Sequence, residues 1–160
     1  MNDRRAVPHA PLRRLVVLAL VLAAATTASA AAPEVNTGLP QIRLQVGGHT
    51  LRAEVAATPQ QQRIGLMNRR SLPPNHGMVF VWTQPQRVCM WMKNTLVPLS
   101  VAFIAADGRI VNLADMQPQT EDVHCAEQEV RYALEMPLHW FAERGVRPGA
   151  RVFGLPAAVR

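Results

Sequence analysis

The sequence predicts a mainly β fold, an antiparallel sandwich or barrel with two short helices. Three observations carry this. About seven strand-like runs are separated by turn signals. No strand–helix–strand alternation repeats, which argues against a parallel doubly wound sheet. Only two short stretches carry helix-terminus signals.

The first thirty residues stand apart. Arg4, Arg5, Arg13 and Arg14 precede the apolar run "LVVLALVLAAA" at 15–25, and Ala28 and Ala30 make an A-x-A pattern. This is the layout of a secretory signal peptide cleaved after Ala30. Eleven apolar residues fall short of the roughly 20 that a membrane span needs. The mature chain is therefore expected in the periplasm or secreted, with no stable membrane span. Arg13-Arg14 leaves both the general secretory and the twin-arginine routes open. Beyond residue 30 the chain has thirteen Lys+Arg against ten Asp+Glu, a net charge of +3 rather than +6. That balance gives no reason to expect a nucleic-acid partner.

Residues 31–40 are small, polar and proline-bearing and read as a flexible lead-in. Residues 41–156 read as a single mainly β domain. "QIRLQV" and "HTLRAEVA" alternate around Gly47-Gly48 and predict a hairpin. In "TPQQQRIGLMNRR", Thr58 is an N-cap, Pro59 suits the first turn and Gln61 completes a capping box, so a helix is expected over about 59–68. Gly65 inside it suggests close packing. "MVFVW" (78–82) predicts a strand, "TQPQ" a turn, and "RVCMWMKN" (87–94) the next strand. Period two puts Val88, Met90 and Met92 on one face and Cys89, Trp91 and Lys93 on the other. "SVAFIA" and "RIVNLA" flank Ala106-Asp107-Gly108 as a second hairpin over 100–114. An irregular acidic loop at 115–129 precedes a strand at 130–136. "PLHWFAERG" reads as a short helix stopped by Gly145, and "RPGARVFGL" as a turn and last strand.

Lys93 is the one lysine beside sixteen arginines. Its presence suggests a need for a compact ammonium group rather than mere positive charge. Trp91, on the same predicted face, offers an aromatic wall. Asn94 and Thr95 offer hydrogen-bonding groups. Trp91, Lys93 and Asn94 are the centre of a candidate ligand cleft for an anionic or carbonyl-bearing molecule, with Thr95 and Glu135 as further binding candidates and Met67, Met78 and Phe80 as apolar support. The alternative is a structural lysine that pairs with a carboxylate such as Glu135.

No G-x-S-x-G, H-E-x-x-H or phosphate-binding glycine loop is present. His49, His76, His124 and His139 lack ligand spacing, so no metal or cofactor is expected. Met67, Met78, Met90, Met92 and Cys89, with or without His76, could hold Cu(I), but core packing explains the methionines better. Trp82, Trp91 and Trp140 could make a sugar platform, though core lids are the commoner use. "EDVHCAEQE" (121–129) lacks a calcium-loop pattern. Cys89 and Cys125 could form a disulfide in an oxidising compartment, stay as buried thiols or serve as metal ligands. Without C-x-x-C the spacing does not decide.

The runs "GLM" (65–67), "GMVF" (77–80), "WMKNT" (91–95), "PL" (98–99), "FI" (103–104), "DGRIV" (107–111) and "YALE" (132–135), with Gly145, follow the order of a known family. In these residues the chain resembles the domain-of-unknown-function family numbered 192, from about Ile42 to Phe153. The resemblance implies a small β sandwich or barrel, often exported, and brings no established activity. Two departures stand out. The family usually reads Pro-Leu-Asp where this chain has Pro98-Leu99-Ser100, and often Gly-Asp where Gly149-Ala150 stands. Both count against paired-carboxylate chemistry. Cys125 falls near a common family cysteine, whereas Cys89 does not.

The function expected from the sequence is a non-enzymatic periplasmic binding or accessory module for an unidentified small molecule or envelope ligand. A cell-envelope enzyme using Lys93, with Glu135 or Asp107 as partner, is the first alternative. Cu(I) binding is the second.

Overall fold

The computed structural model describes residues 32–157; the predicted signal segment 1–30 lies outside them. The chain order is β1 (Gln41–Val46), β2 (His49–Ala56), α1 (Pro59–Ile64), β3 (His76–Gln86), β4 (Cys89–Met90), β5 (Leu99–Ile104), β6 (Ile110–Met116), β7 (His124–Cys125), β8 (Val130–Pro137), α2 (Trp140–Glu143) and β9 (Val152–Phe153). Seven strands form one curled sheet in the order β6-β5-β8-β3-β2-β1-β9, and β4 pairs with β7 in a separate ribbon. The architecture is the predicted mainly β barrel-like one, with two short helices.

The β1–β2 hairpin turns on Gly47 and Gly48, both at positive φ (56° and 81°), as a two-residue hairpin turn requires. One pairing departs from the antiparallel expectation: β2 and β3 run parallel. The chain crosses between them through α1, a connection that parallel neighbours need. Thr58 Oγ1 accepts the Gln61 N–H, and the Gln61 side chain returns to the Thr58 N–H, so the capping box forms. The helix stops at Ile64, not at 68. Gly65 takes φ +49°, and a Cβ there would lie 3.1 Å from the Phe80 ring. Gly65 thus ends the helix and admits Phe80, instead of packing within it.

Two other expectations change. "TQPQ" does not turn: β3 continues to Gln86, and pairing with β8 resumes at Gln86–Val130 after a register shift. Pro85 falls within that irregular stretch, where a missing N–H costs no ladder bond. The predicted strand 87–94 shrinks to Cys89–Met90. The lead-in meets α1 near its centre. Buried Asn36 donates from Nδ2 to the Gln61 and Gly65 carbonyls, satisfying the end of α1.

Both faces of the sheet are covered at its centre, so β5 is buried throughout, as are residues 77–81 of β3 and 132–136 of β8. One core gathers Leu44, Val79, Leu134, Trp140 and Phe141 beneath α2. The other gathers Met78, Phe80, Leu99, Phe103 and Val130 beneath Leu66, Met90 and Met92. At Gly77 any side chain would strike the Glu135 carbonyl and the Met136 sulfur, which fixes how closely β3 approaches β8. The curl brings the start of β6 against the segment before β9. Ile110 N–H donates to Ala150 O, Gly149 N–H to Ile110 O and Val152 N–H to Gly108 O, each at 2.8 Å. Cys89 and Cys125 face each other across the ribbon, joined by a disulfide with 4.0 Å between their Cα atoms.

Candidate functional site

The segment 91–95 is a turn. Thr95 N–H donates to Met92 O (3.0 Å), leaving Lys93 and Asn94 at the corners. Asn94 takes φ 57°, a conformation that asparagine tolerates better than most residues. Asn68 N–H donates to Asn94 O (2.8 Å), Met92 N–H to Thr120 O (3.1 Å) and Gln119 N–H to Thr95 O (3.0 Å). The turn is thus tied to the chain after α1 and to the chain after β6. Met92 is fully buried while Trp91 and Lys93 point outward.

Lys93 Nζ lies 3.3 Å from Glu121 Oε1 and 5.3 Å from the centre of the Trp91 ring. The Lys93 and Glu121 side chains are 46% and 66% exposed, so their pairing is a surface ion pair. Such pairs contribute roughly 0–1 kcal/mol. Replacing Lys93 by Met is therefore expected to change unfolding free energy by less than about 1 kcal/mol in urea titration. The carboxylate suggested from sequence, Glu135, is not its partner. Glu121 sits in the irregular loop, where no residue pattern announces it.

Glu135 occupies the middle of β8, flanked across the sheet by Met78 and Val101. It is 3% exposed, and its carboxyl has no hydrogen-bond partner among the described residues. Burial alone pushes this carboxyl up to about 8, because the anion has lost its water.

Two adjoining hollows, with four lining residues in common, bring most candidate residues together. The outer one is a trough of about 490 Å³ between the lead-in, α1 and the turn, lined by Pro33, Glu34, Arg63, Ile64, Met67, Asn68, Trp91, Lys93 and Asn94. That volume falls in the range of small-molecule sites. The inner one has only about 30 Å³ of space, room for a water-sized group, and reaches Met67, Phe80, Trp91, Thr95 and Glu135. Arg63, Ile64, Met67 and Trp91 line both. Met78 lines neither and belongs to the core. Sequence reasoning missed Glu34, Arg63, Ile64 and Asn68. The helical spacing of Arg63 and Met67 could have pointed to a shared face. Asn68 at φ 61° and anchored Asn36 have no such signal.

A second polar cluster lies elsewhere. Ser100, paired with Asp115 across the β5–β6 hairpin, donates from Oγ to Asp115 Oδ1 and accepts the His139 N–H at 2.8 Å. His139 Nδ1 stands 3.0 Å from Asp115 Oδ2. The Ser100 hydroxyl is buried and occupied on both sides, which suits a structural brace better than a nucleophile. A hollow of about 390 Å³ adjoins Ser100 and Asp115 and is lined further by Phe141 and Arg147.

The three tryptophans do not make one platform. Trp82 stacks on Phe80, Trp140 is buried and donates to Asn75 Oδ1, and Trp91 alone is exposed to the trough. The copper alternative loses its thiol, since Cys89 is bonded to Cys125. Its methionines Met78, Met90 and Met92 are core residues. Among the described residues no group of three or more His, Cys, Asp or Glu side chains is placed to hold a metal ion. No helix among them is long and apolar enough to cross a membrane.

The solved structures similar to this chain include the following two. One, from Sinorhizobium meliloti, is described as a proposed transcription regulator. It is 36% identical, with a TM-score of 0.72, covering 74% of this chain and 97% of its own. The other, a protein of unknown function from Novosphingobium aromaticivorans, is 35% identical with a TM-score of 0.71, covering 77% and 93%. No curated protein matches the sequence. The family model of DUF192, described as Uncharacterized ACR, COG1430, matches residues 42–154. With this match spanning every strand of the curled sheet except the first residue of β1, the chain belongs to the DUF192 family.

Proposed function

We propose that the mature chain is a non-enzymatic periplasmic binding module that takes a small ligand in the trough beside Trp91. The observation that carries this reading is a convergence. An exposed indole, two cationic side chains and a buried carboxyl without a partner among the described residues line two adjoining hollows. Aromatic walls with a few polar groups are the usual make-up of small-molecule sites. The export pattern of residues 1–30 supports the compartment. The paired, solvent-facing Lys93 supports a binding role over proton transfer, because a tuned catalytic lysine is a desolvated one.

The test is a fragment screen on the protein without its first thirty residues, read by two-dimensional NMR. Ligands are expected to shift the Trp91 indole N–H together with the amides of Arg63 and Met67, and Trp91→Ala should weaken them at least tenfold. A screen of several hundred fragments in which none perturbs these signals would sink the reading.

A further inference from the structure

We infer that the ligand is a free α-amino acid, with its ammonium group against Glu135, its carboxylate at Arg63 and its side chain over Trp91. This inference rests on the binding reading above and names the ligand class.

The site is polarised from floor to mouth. Its floor is a carboxyl with no hydrogen-bond partner among the described residues, 3% exposed, bordering a space that admits only a water-sized group. A buried acid left unpaired is costly, and an ammonium group supplies both the missing charge and the missing donors. The inner space suits one –NH3+ and nothing bulkier. Arg63 is the one cation that lines both inner space and trough. It meets Glu34 only through a 3.4 Å contact between side chains 66% and 58% exposed. A guanidinium so loosely held can turn to a ligand carboxylate, which it binds in a two-pronged fork. In an α-amino acid the two charged groups share one carbon, and Glu135 and Arg63 both border the same small space. The trough beyond is far larger than the inner space, and Trp91 forms its wall, which leaves room for side chains of several sizes.

The groups facing Glu135 are few. β3 and β5 present Met78 and Val101, α1 presents Arg63, and the 91–95 turn presents Trp91 and Thr95. Lys93 is held outside by Glu121. On the same sheet face, one strand beyond Met78, Glu54 is held by Arg69 at 2.6 Å. No other acid competes for the ammonium at the floor. Because Glu135 holds its proton until about pH 8, ammonium binding near pH 7 must release that proton.

The experiment is calorimetric titration with phenylalanine, phenethylamine and 3-phenylpropanoate at pH 7, in buffers of different ionisation enthalpy. Phenylalanine should bind at least tenfold tighter than either relative, with about one proton released per site. Glu135→Gln should weaken phenylalanine at least tenfold and abolish the proton release while leaving 3-phenylpropanoate unchanged. Arg63→Gln should weaken phenylalanine and leave phenethylamine unchanged. Equal binding of all three compounds, or an unaltered Glu135→Gln variant, would overturn the inference. Fragments that shift Trp91 while phenylalanine binds nowhere would overturn it and leave the binding-module reading standing. Silence from fragments and phenylalanine alike would overturn both.

Discussion

Between pH 4.5 and about 8, unfolding of this protein is expected to become about tenfold more favourable for each pH unit through Glu135 alone. In the folded chain burial keeps the Glu135 proton in place up to about 8, whereas in the unfolded chain it leaves near the ordinary 4.5. The folded state therefore binds more protons across that window, and raising pH favours the unfolded state. Below the window both states are protonated and nothing is lost. Above it both are ionised and the loss levels off, on the order of 5 kcal/mol in total. Urea titrations of the parent and Glu135→Gln at successive pH values isolate the effect, because every other titrating group cancels in the difference. The two proteins should be close in stability near pH 4 and diverge up to pH 8, with the variant the more stable. Parallel curves would mean that Glu135 ionises in the folded state without penalty.

Removing the disulfide should have a comparable effect, opposite in sign to that of Glu135→Gln. Cys89 and Cys125 are 36 residues apart. Closing a loop of that length restricts the unfolded chain by about 4 kcal/mol in the chain-entropy account. The double variant Cys89→Ser, Cys125→Ser should lose about that much, equivalent to a fall in Tm on the order of 10 °C for a domain of this size. The loss should also be local in its signature. The staple holds the ribbon whose neighbouring segments include Thr120, Glu121 and Met92. Hydrogen exchange should therefore speed first at the Met92 and Gln119 amides. A variant with unchanged melting and unchanged exchange would show the staple to be redundant.

Much of this fold was legible because its elements obey local rules. The hairpin at Gly47-Gly48, the capping box at Thr58 and the turn at Asp107-Gly108 are each set by a few adjacent residues. What escaped was set by distant ones. The helix ends at Gly65 because Phe80 needs the space, and the parallel β2–β3 pair depends on where α1 crosses. The strand expected at 87–94 gives way to a turn because carbonyls of the 92–95 turn accept N–H groups from residues 68 and 119. The inward methionines and outward Trp91 and Lys93 were nonetheless predictable, since a turn after Met90 kept the alternation that a strand would have had. The candidate cleft was half legible. Trp91, Lys93, Asn94 and Met67 share the trough, and Thr95, Phe80 and Glu135 the chamber behind it. The missing wall came from the anchored lead-in, whose Asn36 reaches across to α1 through contacts with no sequence signature.

The meeting of β6 with the segment before β9 bears on how the chain is made. The seam closes through residues 149–152, which with Phe153 are the last of the sheet to emerge from the ribosome or an export channel. Until they emerge, the growing chain carries two open sheet borders, at β6 and at β1. Each presents a row of unsatisfied N–H and C=O groups that could capture another nascent copy. The short final strand thus acts as a zip, and the interval before it arrives is when a chaperone has the most to shield.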